Sequence, residues 1–275
     1  MFHENEYQLD KVMRLTIITI NYNNREGLLR TIDSVVNQTA KMFEWVVIDG
    51  GSTDGSRELI EKNADRMDYW VSEPDKGIYH AMNKGIQASH GEFLMFLNSG
   101  DSLYDEHTIE KVLPLLGEKD IYVGKINSMG RENESEEEQS DFSPKGILRK
   151  LTFTWIPHQA SFFRKSVFDR YGLYRDDMKI VSDWWAYYHS LVIGRATIEP
   201  LPLLIANYDT TGVSATHRQA AIREQENLLQ EYPCIYTYYK FYQENLDIVS
   251  ALKANKFFFF LFRIYFYLYR KFSHL

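Results

Sequence analysis

From Arg14 the chain alternates short apolar runs with longer stretches whose apolar residues recur every three or four positions. RLTIITI is apolar and β-branched, the pattern of a buried strand, and after the polar NYNNRE the stretch LLRTIDSVVNQ has helical spacing. The same alternation recurs in EWVVID and a helix starting near Ser56, in YWVS and GIYHAMNKGIQAS, and in EFLMFL and DEHTIEKVLPLL, before a short strand at IYVG. Four successive βα units predict an α/β fold, a mostly parallel sheet covered by helices on both faces. In such a sheet the ligand sits beyond the carboxyl ends of the strands. The polar clusters fall there: Asn21, Tyr22 and Asn23 after the first strand, Asp49 to Asp54 after the second, Glu73 to Lys76 after the third, Asn98 to Asp101 after the fourth.

After Gly124 the alternation stops. RENESEEEQSD brings six acids and no apolar residue, which reads as a solvated loop inserted at the surface. Order resumes with LTFTWIPHQASFFRKSVF, a strand-like stretch followed by a helix, then SDWWAYYHSLV as another helix and a last strand near PLLIANY. No internal repeat is visible.

Composition narrows the class. Of 275 residues 44% are hydrophobic and 25% charged, which excludes disordered and low-complexity chains. The 31 Lys and Arg against 38 Asp and Glu leave a net charge of −7, which argues against a nucleic-acid binder. The single cysteine, Cys234, cannot form an intrachain disulfide or a cysteine-based zinc cluster and fits a reducing compartment, the cytoplasm. The first twelve residues have no apolar core of a secretory signal and read as a flexible tail.

Three clusters could carry chemistry. In VVIDGGSTDGS a carboxylate, Asp49, ends a buried strand and a small-residue turn follows; it suits a ligand approaching the backbone, or a plain strand-to-helix turn with Asp54 as helix cap. There is no dinucleotide fingerprint and no phosphate loop of the G-x-x-x-x-G-K-[ST] type. FLMFLNSGD ends an apolar strand in Asn98, Ser99, Gly100 and Asp101, an oxygen-rich turn that suits a hard cation such as Mg²⁺ or Mn²⁺, or is simply polar. Asp183 opens an aromatic helix in VSDWWAYYHS, as a general base or as a charge favoured at a helix N-terminus with Ser182 as cap.

In order and spacing, TIITINYNN, VVIDGGSTDGS, SEPDKGIYHAMNKGI and FLNSGD resemble the nucleotide-sugar half of family 2 glycosyltransferases, and the DKGIYHAMNKG segment resembles the bacterial surface-polysaccharide enzymes. The resemblance covers about Arg14 to Gly124 closely, runs more loosely to about Arg218, and does not reach the residues after about Tyr232. It implies a GT-A fold with a Rossmann-like sheet, and an inverting, metal-dependent transfer of a sugar from a nucleotide-diphosphate sugar to a hydroxyl of a glycan or lipid-linked acceptor. It also implies site residues. Asn21, Tyr22, Asn23, Asp49, Asn83, Asn98, Ser99 and Asp101 would bind the nucleotide sugar, with Tyr22 stacking on the base and Asp101 holding a divalent cation, Mn or Mg. Asp183 would be the base. Gly50 stands where the family's second carboxylate usually lies, Asn98 and Gly100 stand for two carboxylates of the metal motif, and Ser182 replaces a Glu before the base. Trp155 and His158 would shape the acceptor pocket, or are packed core residues; His217 would be a further metal contact, or a solvated loop residue.

The implied organisation is a tail over 1–12, a catalytic domain over 13–225 divided at 124 into nucleotide-sugar and acceptor halves, and a helical aromatic extension over 226–275. After Asp247 there is no acid, while FFFFLFRIYFYLY is thirteen residues, about 20 Å as helix and too short to span a bilayer. Lys256, Arg263 and Arg270 recur every seven residues, so this segment reads as a helix lying on the inner face of the cell membrane, or packed on the catalytic domain or in a homodimer. Competing functions are a sugar-1-phosphate nucleotidyltransferase, whose Gly-rich loop is missing from NYNNREGLL, and a membrane-associated scaffold of the same fold without catalysis.

Overall fold

The computed structural model describes residues 14–128, 141–153, 155–209, 217–232, 236–237 and 239–240. The chain divides into two units, Met1–Ala221 and Ile222–Leu275. The acidic segment and the aromatic C-terminal stretch fall almost wholly outside the described residues, as do the N-terminal twelve.

The first unit opens as the periodicity predicts: β1 Leu15–Asn21, α1 Arg25–Val36, β2 Glu44–Asp49, α2 Ser56–Lys62, β3 Tyr69–Ser72, α3 Ile78–Ala88 and β4 Phe93–Phe96. Every residue of β1, β2 and β4 is buried, because helices cover both faces and leave no side of these strands to water. Strands β3, β2, β1 and β4 run parallel in that order. On α1 the buried Leu28, Thr31, Ile32 and Val35 share one stripe, and the Asn24 side chain caps the helix by accepting from Gly27 N–H at 3.1 Å.

The second half of the sheet is mixed. The strands β5 Ser102–Leu103, β6 Ile121–Ser128, β7 Ser161–Arg164 and β8 Ile198–Tyr208 extend it in the order β4-β7-β6-β8-β5. Here β7 runs antiparallel to β4 and β6, β6 parallel to β8, and β5 antiparallel to β8. Between them lie α4 Thr108–Val112, α5 Pro144–Phe153, α6 Ser166–Tyr171 and α7 Ser182–Tyr187, the last continued by a π-helical turn over Tyr188–Ile193. The strand-like reading of LTFTWIPHQ is corrected: Leu151–Phe153 close α5, and the strand begins only at Ser161. Apolar residues on one face of a helix and a short buried strand look alike over five residues, and here the helix spacing from Ile147 to Leu151 decides. Helix α8 spans Arg218–Leu229.

Candidate active site

A cleft of about 340 Å³ opens where β1 and β4 end, at the point where the strand order reverses. Asn24, Asn98, Ser99 and Asp101 line it from the first half; His158, Gln159, Lys179, Asp183, Tyr208 and Asp209 line it from the second, with Ile78, Tyr79 and Met82 of α3 between. Five residues singled out from sequence for three different roles, Asn98, Ser99, Asp101, His158 and Asp183, thus meet in one cavity.

One corner is built of oxygen. Asp101 is 5% exposed and accepts from the backbone N–H of Asp209 at 2.9 Å. Burial pushes its carboxyl up to about 7 and the Asp209 charge adds to this, against the Asp209 N–H and the Gln159 side chain. Asp209 pairs with Arg30 at 3.1 Å. Gly100 has φ +108°, and a Cβ there would lie 2.8 Å from Asp209 Oδ2. The glycine that replaces a motif carboxylate therefore leaves the space into which Asp209 brings its own. Asn98 Oδ1 and Gln159 Oε1 are buried with no hydrogen-bond partner among the described residues. Two carboxylates and two orphaned amide oxygens fit a hard divalent cation. No three Asp, Glu, His or Cys side chains among the described residues form a complete metal cage, so phosphate oxygens of a substrate would finish the shell.

The opposite corner centres on Asp183. Tyr79 OH donates to Asp183 Oδ1 at 2.8 Å, and His158 Nδ1 lies 3.6 Å from Oδ2. The Asn98 amide is 3.3 Å from His158 Nε2, which must then accept, placing the ring proton on Nδ1 toward Asp183. Burial holds His158 below its ordinary value, the Asp183 charge opposing, so the ring is neutral at pH 7. That tautomer also turns Asn98 Oδ1 away from the histidine.

Other candidates stand apart from the cleft. Asp49 is fully buried and accepts from Asn21 Nδ2 (2.7 Å), Ser52 N–H (2.9 Å), Ser52 Oγ (2.6 Å) and Ser72 Oγ (2.6 Å). Burial pushes this carboxyl up, but the donors outweigh it and hold it below its usual value. Asp49 and Asn21 thus tie β1, β2 and β3 together. Asn23, with φ 48°, donates to Ser52 Oγ at 2.7 Å and accepts from Thr53 N–H at 2.9 Å, while Tyr22 beside it is 67% exposed. A Cβ on Gly50 would lie 2.8 Å from Asp75 Oδ2 and 3.1 Å from the Tyr22 ring, so here too a second carboxylate fills the space left by glycine. Asn83 exchanges two bonds with the backbone of Tyr174 (2.8 and 3.0 Å), and Trp155 packs on Tyr208, whose ring is 5.4 Å away. His217 is exposed just before α8 and does not line the cleft. Neither predicted helix cap forms: Gly55 occupies the cap position of α2 while Asp54 accepts from Arg25 and Ser56 N–H, and Ser182 is already helical, with its hydroxyl unpartnered among the described residues. Asp209, Tyr79, Gln159 and Asp75 were given no role from sequence, although Tyr79 and Asp75 lie in SEPDKGIYHAMNKGI and Gln159 directly follows His158.

An oxygen-lined corner and the Asp183 carboxylate share one cleft at the switch point of a Rossmann-like sheet, the architecture of the GT-A fold. The glycosyl transferase family 2 profile matches residues 16–172, and the chain belongs to that family. An uncharacterised glycosyltransferase of Mycobacterium tuberculosis is 31% identical over 229 residues, covering 80% of this chain and 85% of that one. A PGL/p-HBAD biosynthesis glycosyltransferase of the same organism is 29% identical over 189 residues, covering 62% and 66%. Among solved structures, Staphylococcus aureus TarS in complex with UDP-GlcNAc superposes with a TM-score of 0.64 at 16% identity, over 80% of this chain and 66% of that one. The mannosyltransferase PcManGT of Pyrobaculum calidifontis, with GDP-Man and Mn²⁺, gives 0.57 at 18%, over 79% and 62%. This chain spans just under two thirds of each solved chain, and at these identities the likeness shows the fold.

Proposed function

We propose that this glycosyltransferase transfers a hexosyl group, with inversion and with a divalent cation, from a nucleotide-diphosphate sugar to a hydroxyl of a glycan or lipid-linked acceptor in polysaccharide or glycolipid synthesis. The observation that carries this is the single cleft lined both by the Asp101–Asp209 corner and by Asp183. Asp101 and Asp209, with Asn98 Oδ1 and Gln159 Oε1, would hold the cation, Mg²⁺ or Mn²⁺. When bound, such an ion stabilises the negative charge on a departing nucleoside diphosphate. Lys179 adds a positive side chain to the same cleft. Tyr22 offers an exposed aromatic face for the base, and Asp75 a carboxylate beside it. Asp183 takes the proton of the attacking hydroxyl, and attack opposite the leaving group inverts the anomeric centre. The basic, acid-free stretch from Lys253 to Leu275 would bring the enzyme to lipid-linked acceptors at an anionic bilayer; the sequence alone supports this. Family membership favours glycosyl over nucleotidyl transfer.

The test is a panel of UDP-, GDP-, dTDP-, ADP- and CMP-sugars, screened by calorimetry and by donor hydrolysis with Mn²⁺ and with EDTA. We expect one nucleotide class to bind and turn over only with the metal. Turnover unaffected by EDTA overturns the metal assignment, and no binding of any member overturns the donor reading.

A further inference from the structure

Asp183 is the second residue of a six-residue helix whose start is capped by no side chain among the described residues. The groups that meet its carboxylate come from outside the helix, from Tyr79 and His158. Tyr79 reaches it from α3: the phenol oxygen lies 2.8 Å from Asp183 Oδ1 and 2.6 Å from the carbonyl oxygen of Ile180. One phenol proton serves two acceptors, and the charged one takes it by preference. The ring is itself held, 4% exposed with its centroid 5.7 Å from that of Tyr174. Burial, reinforced by the Asp183 charge, pushes the phenol well above its ordinary value, so Tyr79 keeps its proton. On the other side His158 Nδ1 stands 3.6 Å from Oδ2, too far for a full hydrogen bond. Oδ1 is thus fixed and Oδ2 is the less engaged oxygen.

We propose that Tyr79 is the positioning residue for Asp183, holding Oδ1 so that Oδ2 meets the acceptor hydroxyl; this rests on the reading of Asp183 as the base. In the transfer the acceptor O–H bond breaks and its proton passes to Asp183. The acceptor oxygen forms the new glycosidic bond, and the nucleoside diphosphate leaves with the electron pair of the old one. As the carboxylate loses its charge, the Tyr79 hydroxyl turns toward the Ile180 carbonyl, so it has a partner before and after the proton moves. Ile180 stands three residues before Asp183, and the same hydroxyl therefore braces the turn that enters the helix.

The experiment is a double-mutant cycle in the full chain, read as steady-state hydrolysis of the UDP-, GDP- and dTDP-sugars of the panel. We expect Tyr79→Phe to lower kcat about tenfold, the effect of one hydrogen bond to a charged group, with the donor KM unchanged. Asp183→Asn should lose at least about a hundredfold, and adding Tyr79→Phe to it should change nothing more. Difluorotyrosine installed at position 79 keeps the packing and strengthens the donor; it should lower kcat severalfold through a weaker base, and have no effect beside Asp183→Asn, even should the Phe variant fail to fold. Losses that multiply in the double variant, or a Tyr79→Phe enzyme equal to wild type, overturn the positioning role and leave the base standing. Normal turnover by Asp183→Asn overturns the base reading and Tyr79's role with it, as does the absence of turnover of every sugar by wild type.

Discussion

Replacing Asp101 by Asn separates the stability of the cleft from its chemistry. The carboxyl is 5% exposed and pushed up to about 7 by burial, the Asp209 charge adding to it, whereas the ordinary value is 3.8. Between those two values the folded state holds a proton that the unfolded chain has released. Stability therefore falls as pH rises from about 4 to about 7; below that window this group costs nothing, and above it the cost is fully present and no longer changes with pH. A rise from 3.8 to about 7 is about 3 units, which at about 1.4 kcal/mol each sets a ceiling of about 4 kcal/mol on carrying the bare carboxylate above pH 7. Water entering from the cleft reduces this, and about 2 kcal/mol is the working figure. Asn keeps an oxygen for the Asp209 N–H, 2.9 Å away, and carries no charge. At pH 8 in EDTA the variant should be about 2 kcal/mol more stable and melt about 4–8 °C higher, while near pH 4 the two proteins should melt together. Calorimetry should at the same time show that the variant no longer binds nucleotide in a Mn²⁺-dependent way. Melting followed by circular dichroism at pH 4, 6 and 8 is the assay. A difference that does not grow with pH, or a variant less stable at pH 8, refutes the argument.

Asp49→Ala leaves four donors without their acceptor at the core of the first three strands and should cost about 3–5 kcal/mol in urea denaturation; a loss below about 1 kcal/mol would remove its structural role. Since the Asp49 carboxyl is held below 3.8, its contribution is present above that pH and is lost as pH falls through the lowered value, which a comparison of wild type and Asp49→Ala at pH 6 and pH 2.5 checks. Tyr22→Ala should weaken nucleotide binding by about 1–3 kcal/mol without shifting the melting temperature, because the ring is 67% exposed and its proposed partner is the base; unchanged affinity removes the stacking role. Truncation after Asn255 should release the protein from anionic liposomes and leave donor hydrolysis intact, and a truncated chain that still sediments with vesicles refutes the anchor.

The sequence by itself determined the elements of the first half and the end of the sheet at which chemistry gathers. Buried strands need uninterrupted apolar runs and covering helices need one apolar stripe, so β1 to β4 and the helices between them are written in local periodicity. Once the units are βαβ, right-handed crossover leaves their polar ends on one edge. Asn98 and Asp101 were legible for that reason, following the fourth strand, while Asp183 stood out only as a charge opening a helix. What only the tertiary structure decided is which of these side chains share a cavity. Asp209 meets Asp101 across 108 residues, and Tyr79 meets Asp183 across 104, through a mixed sheet half whose order no local pattern encodes. The same contacts show why Gly50 and Gly100 are not simple losses: each omits a Cβ that would collide with a carboxylate arriving from elsewhere in the chain. Asp49, the plainest binding candidate in the sequence, also holds three strands together, because a buried carboxylate takes the nearest donors and here all four are its neighbours in the sheet and its turn. Periodicity is a one-dimensional property, while burial and partner choice are set by the whole packed sheet.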